Sequence, residues 1–452
     1  MKRFWNEIKV TTVLSVSLFW ISCSPEFSTP EAEKGQIDPT RFVCIGDDFT
    51  AGYTDGALYQ EGQKNSYANI LAEQLKLIGC ENFTTPWISE SSVGISSSGK
   101  SKSVLGYGTD CNGVSSLKPI PYAATGDTSA FNDNLFPSLG PFHNMGVPEA
   151  KTIDLVKQSY GNAALGSGNY NAFFARFASD PQITSVLDDA TITFPTFYSV
   201  FSGINDVLAY AMKGGASNSI TPSSGISGAG FDASLDFIIN TLSGFSGQGV
   251  ISTIPDVTAF PFFTTIPGDG LALDSANAAL LNAIYNPIGM YFQIGKNQFV
   301  IEDTSAGMFG VRQIQPGELI LLNIPLDSVK CFKMGSVYPI PNRYILTANE
   351  ISNVRNAVSS YNAHIRMIAN QKGLALVDAE KFFNNIKSGT IVNGISLGSQ
   401  FVSGGIFSLD GVHLTARGNA MLANEFIKAI NEKYQSKIPQ VDATKYKGIT
   451  FP

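Results

Sequence analysis

The 452-residue chain carries 37 acidic and 30 basic side chains, a formal net charge of -7, with 44% hydrophobic and 15% charged residues. That much apolar content excludes an intrinsically disordered chain and indicates a large buried core. The acidic balance, with no basic stripe and no Gly-rich phosphate cradle, excludes a nucleic-acid partner.

At the start of the chain Lys2 and Arg3 precede the apolar run Val10 to Ile21. The run is too short to span a bilayer and has the form of a secretory signal. Ile21-Ser22-Cys23 resembles a bacterial lipoprotein cleavage box, although Trp20 stands where a smaller aliphatic residue is usual. The resemblance implies removal of a signal peptide, residues 1–22, and a lipid on Cys23 that makes the membrane a partner. The polar stretch 23–37 then reads as a tether, and the location as the bacterial cell envelope, lipid-anchored, facing either the periplasm or the exterior. A plain secreted protein with a coincidental cysteine is the alternative.

Beyond the tether, Phe42 to Ile45 is a short apolar run of strand type, and Gly46 to Gly52 reads as a strand-to-helix turn. Ser91 to Ser103 and Gly214 to Gly230 are Ser- and Gly-rich loops, and Gly106 to Phe142 shows no clear periodicity. Phe197 to Phe201, Leu319 to Ile324 and Leu374 to Val377 are further apolar strands. Between the last two, Val354, Val358, Tyr361, Ile365 and Ile368 recur at steps of three and four, which predicts an amphipathic helix from Val354 to Gln371. Thr415 to Tyr434 reads as a closing helix. Alternating strands and helices predict an α/β fold with a parallel central sheet flanked by helices. Residues 38–452 are expected to form one domain with insertions around 91–142, 214–230 and 252–319. The last insertion carries Phe260, Phe262, Phe263, Tyr285, Tyr291 and Phe292, either a lid or substrate wall, or ordinary core.

Cys44, Cys80, Cys111 and Cys331 show no CxxC spacing, so no metal site is expected. In an oxidising compartment Cys80 and Cys111 could pair, while Cys44 within an apolar strand suits a buried thiol. Of the three histidines, His143 and His364 suit structural or surface roles, leaving His413 for chemistry.

Four short blocks follow one another: Gly46-Asp47-Asp48, Asn144-Met145-Gly146-Val147-Pro148, Gly203-Ile204-Asn205-Asp206 and Asp410-Gly411-Val412-His413. Together and in this order they resemble the SGNH hydrolases, also called the GDSL esterases and lipases. Asn65 to Ala72 resembles that family's first helix, which packs behind the nucleophile turn. The resemblance implies a three-layer, flavodoxin-like fold and an acylhydrolase that cleaves carboxylic esters without metal or organic cofactor. It implies His413 as base and Asp410 as its orienting carboxylate. The oxyanion donors would be the backbone N–H of Asp48, the backbone N–H of Gly146 and the side-chain amide of Asn205.

One position departs from that pattern. Asp48 stands where the family carries its serine nucleophile, so the alkoxide is lost and a carboxylate faces the base. That charge favours the imidazolium and repels a developing oxyanion, and attack on an ester would give a reactive anhydride. Ester turnover is expected to be reduced or lost. Thr50, two positions on, is expected to point elsewhere. Three readings follow: a binding lipoprotein for an acylated or glycan ligand, a hydrolase using Asp48 as a nucleophile or as a base for water, or an inherited scaffold with an idle cleft. The match at Gly146, Asn205, Asp410 and His413 favours a pocket in use.

Overall fold

A computed structural model describes residues 31–216, 220–305 and 309–452. The expected signal peptide and Cys23 lie outside the described residues. Five strands build the central sheet: β1 (Phe42–Gly46), β2 (Asn144–Gly146), β3 (Phe197–Phe201), β4 (Gly249–Ser252) and β5 (Ala375–Val377). They lie in the order β2-β1-β3-β4-β5 and are parallel throughout. β1 and β3 are buried at every position, as continuous apolar runs in a sheet covered on both faces should be.

The principal helices are α1 (Asp48–Ala51), α2 (Tyr67–Lys76), α3 (Asn205–Ala211), α4 (Phe231–Phe245), α5 (Ala348–Lys372) and α6 (Ala416–Tyr434). Side-chain alternation along β3 assigns their faces. Phe197 stands edge-on to Tyr434 of α6 at 6.0 Å between ring centroids, and Phe201 to Tyr67 of α2 at 5.7 Å. Tyr198, between them, reaches Ser243 of α4 with its hydroxyl at 3.0 Å. Neighbouring strand residues point to opposite faces, so α2 and α6 cover one face of the sheet and α4 the other. α5 joins α4, with Tyr361 stacked on Phe231 at 4.0 Å.

α5 buries Val354, Val358, Tyr361, Ile365 and Ile368, as their spacing requires. It begins before the apolar stripe because Thr347 and Glu350 form a capping box, and it ends at Gly373 in the left-handed region. α6 starts where Thr415 accepts the Gly418 N–H at its N-cap.

Four expectations need correction. Leu319 to Ile324 is not a strand of the central sheet. Only Leu319–Ile320 is extended, and it pairs antiparallel with Ile345–Leu346. Two side chains of the 319–324 run, Ile320 and Ile324, join a separate core with Phe299, Ile301, Ile314, Ile340 and Ile345. Apolarity signals burial without naming the partner, and the third insertion accordingly runs on to 346. Within 91–142, Ser103–Thr109 and Ser115–Pro121 form an antiparallel hairpin. It is mostly exposed or half-buried on both faces, so no alternation marked it. The disulfide joins Cys111 of that hairpin to Cys331 in the third insertion. Cys80 stays a buried thiol beyond α2, as does Cys44 in β1, so Cys80 is not the partner of Cys111. Finally, residues 33–37 belong to the folded unit and not to the expected tether, because Glu33 bridges to Lys437 and Gln36 donates its N–H to the Tyr434 carbonyl at 2.9 Å. Residues 33–452 form one compact unit.

Candidate functional site

In an open doubly wound sheet, a crevice forms where the strand order reverses, here at the carboxyl ends of β1 and β3. Asp48 follows β1, Asn205 follows β3 and Glu149 follows their neighbour β2. The chain leaves β1 at Gly46, where a Cβ would lie 2.2 Å from the Phe201 carbonyl oxygen, so only glycine permits the tight turn. Asp47 then caps α1 by accepting the Phe49 N–H at 3.1 Å, and Asp48 becomes the first residue of that helix, buried.

The Asp48 carboxylate is held from three sides. The Glu149 N–H lies 3.1 Å from each of its oxygens, and the Asn205 side-chain amide donates to Oδ2. His413 Nε2 faces Oδ1 from 3.7 Å. Across the ring, His413 Nδ1 lies 2.8 Å from Asp410 Oδ2. Phe49 and Tyr53 flank the imidazole at 5.5 and 5.0 Å between centroids.

Asp410 also shapes its own loop. Its Oδ1 accepts the N–H groups of Val412 and His413, both at 2.8 Å, and Oδ2 accepts the Gly56 N–H at 2.9 Å. Burial opposes its charge, but His413 and these donors more than offset that and hold the carboxyl well below the usual range. Burial likewise works against a charged His413. Asp410, its hydrogen bond, Asp48 and Asp47 overcome it and raise the ring to about 9. At neutral pH the ring is therefore an imidazolium, with one N–H on Asp410 and the other aimed at Asp48. That second nitrogen is buried and has no hydrogen-bond partner among the described residues.

Asp48, Asn205, Asp410 and His413 thus come together, whereas Gly146 does not join them. Its N–H is taken by Asn144 Oδ1 at 3.0 Å. A Cβ there would lie 2.2 Å from the Ala51 nitrogen, so this glycine lets β2 pass close beneath α1. The backbone donor that reaches Asp48 belongs to Glu149, whose φ of 66° turns its N–H inward. A main-chain donor carries no side-chain signature, and only the Pro148-Glu149 turn hinted at it. Asp206 was also missed as a structural tie. It accepts the N–H and hydroxyl of Thr152 at 2.8 and 2.9 Å, fastening the Glu149 loop to α3, and burial raises its carboxyl to about 6. Burial first and Asp48 second push Asp47 well upward.

Thr50 points away, its hydroxyl 3.0 Å from that of Tyr67 in α2. His143 is buried against the Thr84 hydroxyl at 2.8 Å, and burial lowers its basicity. His364 pairs with Asp236 at 2.9 Å. A cleft of about 840 Å³ opens onto the site, lined by Asp48, Asn205, Asp410 and His413 with Leu208 and Met212 as apolar wall. None of the six aromatic residues of the third insertion lines it, and all but Tyr291 are buried. Among the described residues, no group of three or more His, Cys, Asp or Glu could hold a metal ion. No described helix is long and apolar enough to cross a membrane.

Chemically, the site is a buried carboxylate–imidazolium pair with two neutral donors behind the carboxylate. Comparison with protein-family models, curated proteins and solved structures found no match.

Proposed function

We propose that the chain is a lipoprotein with an SGNH-type hydrolase fold whose ester turnover is reduced or lost because Asp48 fills the site's own anion-binding position. The strand order 2-1-3-4-5, the flavodoxin-like one, and the convergence of three of the four blocks support the family reading. One observation carries the functional reading: the Asn205 amide and the Glu149 N–H both end on the Asp48 carboxylate. In an acylhydrolase, donors so placed would stabilise the oxyanion of a tetrahedral intermediate. Here they end on a resident carboxylate, which beside His413 favours the imidazolium and makes the ring a poorer base.

On this reading the cleft is a binding site for an ester, lipid or acylated glycan ligand, and a lipid on Cys23 holds the protein at the bacterial cell envelope. The test is nitrophenyl ester hydrolysis by the protein lacking residues 1–23, comparing wild type with Asp48→Ser. Background activity in the wild type with turnover in the variant supports the proposal. A folded, inactive variant would count against donors preserved for ester chemistry.

A second reading rests on the buried His413 Nε2, which faces Asp48 Oδ1 without a hydrogen bond. Asp48 would displace a leaving group from an alkyl carbon, the leaving group departing with its electron pair. Water would then attack the Asp48 ester carbonyl, giving its proton to a His413 freed of the carboxylate's charge; the bond from that carbonyl carbon to the alkyl-bearing oxygen would break, the alcohol leaving with the proton from His413 and the Asp48 carboxylate restored. Wild-type hydrolysis of alkyl halides or epoxides, lost in Asp48→Asn, would favour it.

A further inference from the structure

Asp55 and Gly56 form a tight turn with φ of 53° and 76°, closed by reciprocal backbone bonds between Thr54 and Ala57 at 3.1 and 3.0 Å. Positive φ at both central positions is the hairpin-turn geometry that Asp-Gly prefers. The turn is bonded to its own neighbourhood, where Tyr53 donates its hydroxyl to the Gly56 carbonyl at 2.6 Å. It is also bonded to the loop that carries Asp410 and His413, from the far end of the chain. The Asp55 N–H donates to Ser408 Oγ at 3.0 Å, and the Leu409 N–H donates to Asp55 Oδ1 at 3.0 Å. The Gly56 N–H reaches Asp410 Oδ2 at 2.9 Å, and the Thr54 hydroxyl reaches the Leu414 carbonyl at 3.0 Å. Tyr59 completes the set by donating its hydroxyl to Asp55 Oδ2 at 2.7 Å. The turn is also a partition: Gly56 lines the cleft, while Asp55, Tyr59 and Leu409 line a second hollow of about 410 Å³.

We infer that Asp55 is a positioning residue that clamps residues 408–410 and so fixes Asp410 against His413. This rests on the proposed reading of Asp410 and His413 as a working pair. Asp410 Oδ2 serves two donors at once, the Gly56 N–H and the His413 ring, and that geometry holds only while the turn stays seated. Without the Asp55 carboxylate, Leu409 N–H and the Tyr59 hydroxyl lose a buried partner, and the loop is released. Asp410 then relaxes from the ring, and burial wins back part of the proton affinity that Asp410 confers on His413. The charged groups facing the turn are Asp410 and Lys102, while those facing His413 are Asp410, Asp48, Asp47 and Glu149.

The test is the imidazole titration of the three histidines by NMR in wild type, Asp55→Ala, Asp55→Asn and Tyr59→Phe. His413 in the wild type is expected near 9. In Asp55→Ala it is expected to fall by about one pH unit, a tenfold loss of proton affinity. Asp55→Asn discards the charge but keeps an acceptor for Leu409 N–H, and it should retain the wild-type titration. Equal falls in Asp55→Ala and Asp55→Asn would mean that charge and not the clamp acts on His413, overturning the inference, as would an unmoved His413 in a folded Asp55→Ala protein. Should Asp55→Ala fail to fold, Tyr59→Phe decides: a smaller fall supports the clamp and no fall overturns it. Repeating the series in Asp48→Ser separates the two ideas, since absence of ester hydrolysis throughout would sink the proposed function while the titrations still judge the clamp.

Discussion

At the Asp410 end of the site four donors share one carboxylate: two N–H groups of its own loop, the Gly56 N–H and the His413 ring. At the Asp48 end the carboxylate takes the Glu149 N–H and the Asn205 amide, and it faces the same ring from 3.7 Å without a hydrogen bond. Asp410 therefore spends its charge shaping a loop and orienting a ring, work it would do equally beside a serine. On the proposed reading, Asp48 occupies the position where a substrate oxygen would have to be bound. The difference teaches that one carboxylate can be committed to local structure while its neighbour across the same ring faces the cleft, which on the proposed reading leaves the orienting half of a catalytic arrangement in place and the reacting half filled.

Altering the Asp48 end should have the largest effect. Asp48→Ser is expected to raise nitrophenyl ester turnover by roughly 10³-fold, read from initial rates. In that background Asn205→Ala should remove about 10²-fold in kcat by taking away one oxyanion donor, and Gly146, whose N–H is engaged elsewhere, should not compensate.

The ion pair itself predicts a pH dependence of stability. His413 is raised from 6.5 to about 9 in the folded state, so its contribution is fully present below 6.5 and is lost as pH rises through 9. Urea unfolding at pH 6 and pH 10 should differ by about 3 kcal/mol from this group. Asp48→Asn should shrink that difference and Asp410→Asn should shrink it further, since Asp410 is the larger support of the ring's charge. Asp410 contributes with the opposite sense, its stabilisation present above 3.8 and lost as pH falls through its lowered folded value. The smallest effect belongs to Thr50. Thr50→Val should cost about 1 kcal/mol in urea unfolding and leave ester turnover of Asp48→Ser unchanged, because its hydroxyl meets Tyr67 and not the cleft.

Much of the sheet and of the site was legible because both depend on strongly patterned residues. Phe42 to Ile45 and Phe197 to Phe201 are buried on both faces and read as continuous apolar runs, and the polar residues just after them fall at the crevice. What escaped was carried by geometry that side-chain type does not encode. The Glu149 donor is a main-chain N–H, and the hairpin 103–121 lacks a buried face. Leu319 to Ile324 is as apolar as a sheet strand, but its Ile320 and Ile324 join a separate core. The Cys111–Cys331 pairing depends on two insertions meeting, which spacing along the chain cannot reveal.

The most direct test of the account needs no knowledge of the natural ligand. Wild type, D48S and D48S/H413A proteins would be exposed to a fluorophosphonate ester and their intact masses measured. One adduct on D48S, with none on the wild type and none on D48S/H413A, is the predicted result. A labelled wild type, or a folded D48S protein that takes no label, would contradict the claim that it is Asp48 that disarms the site.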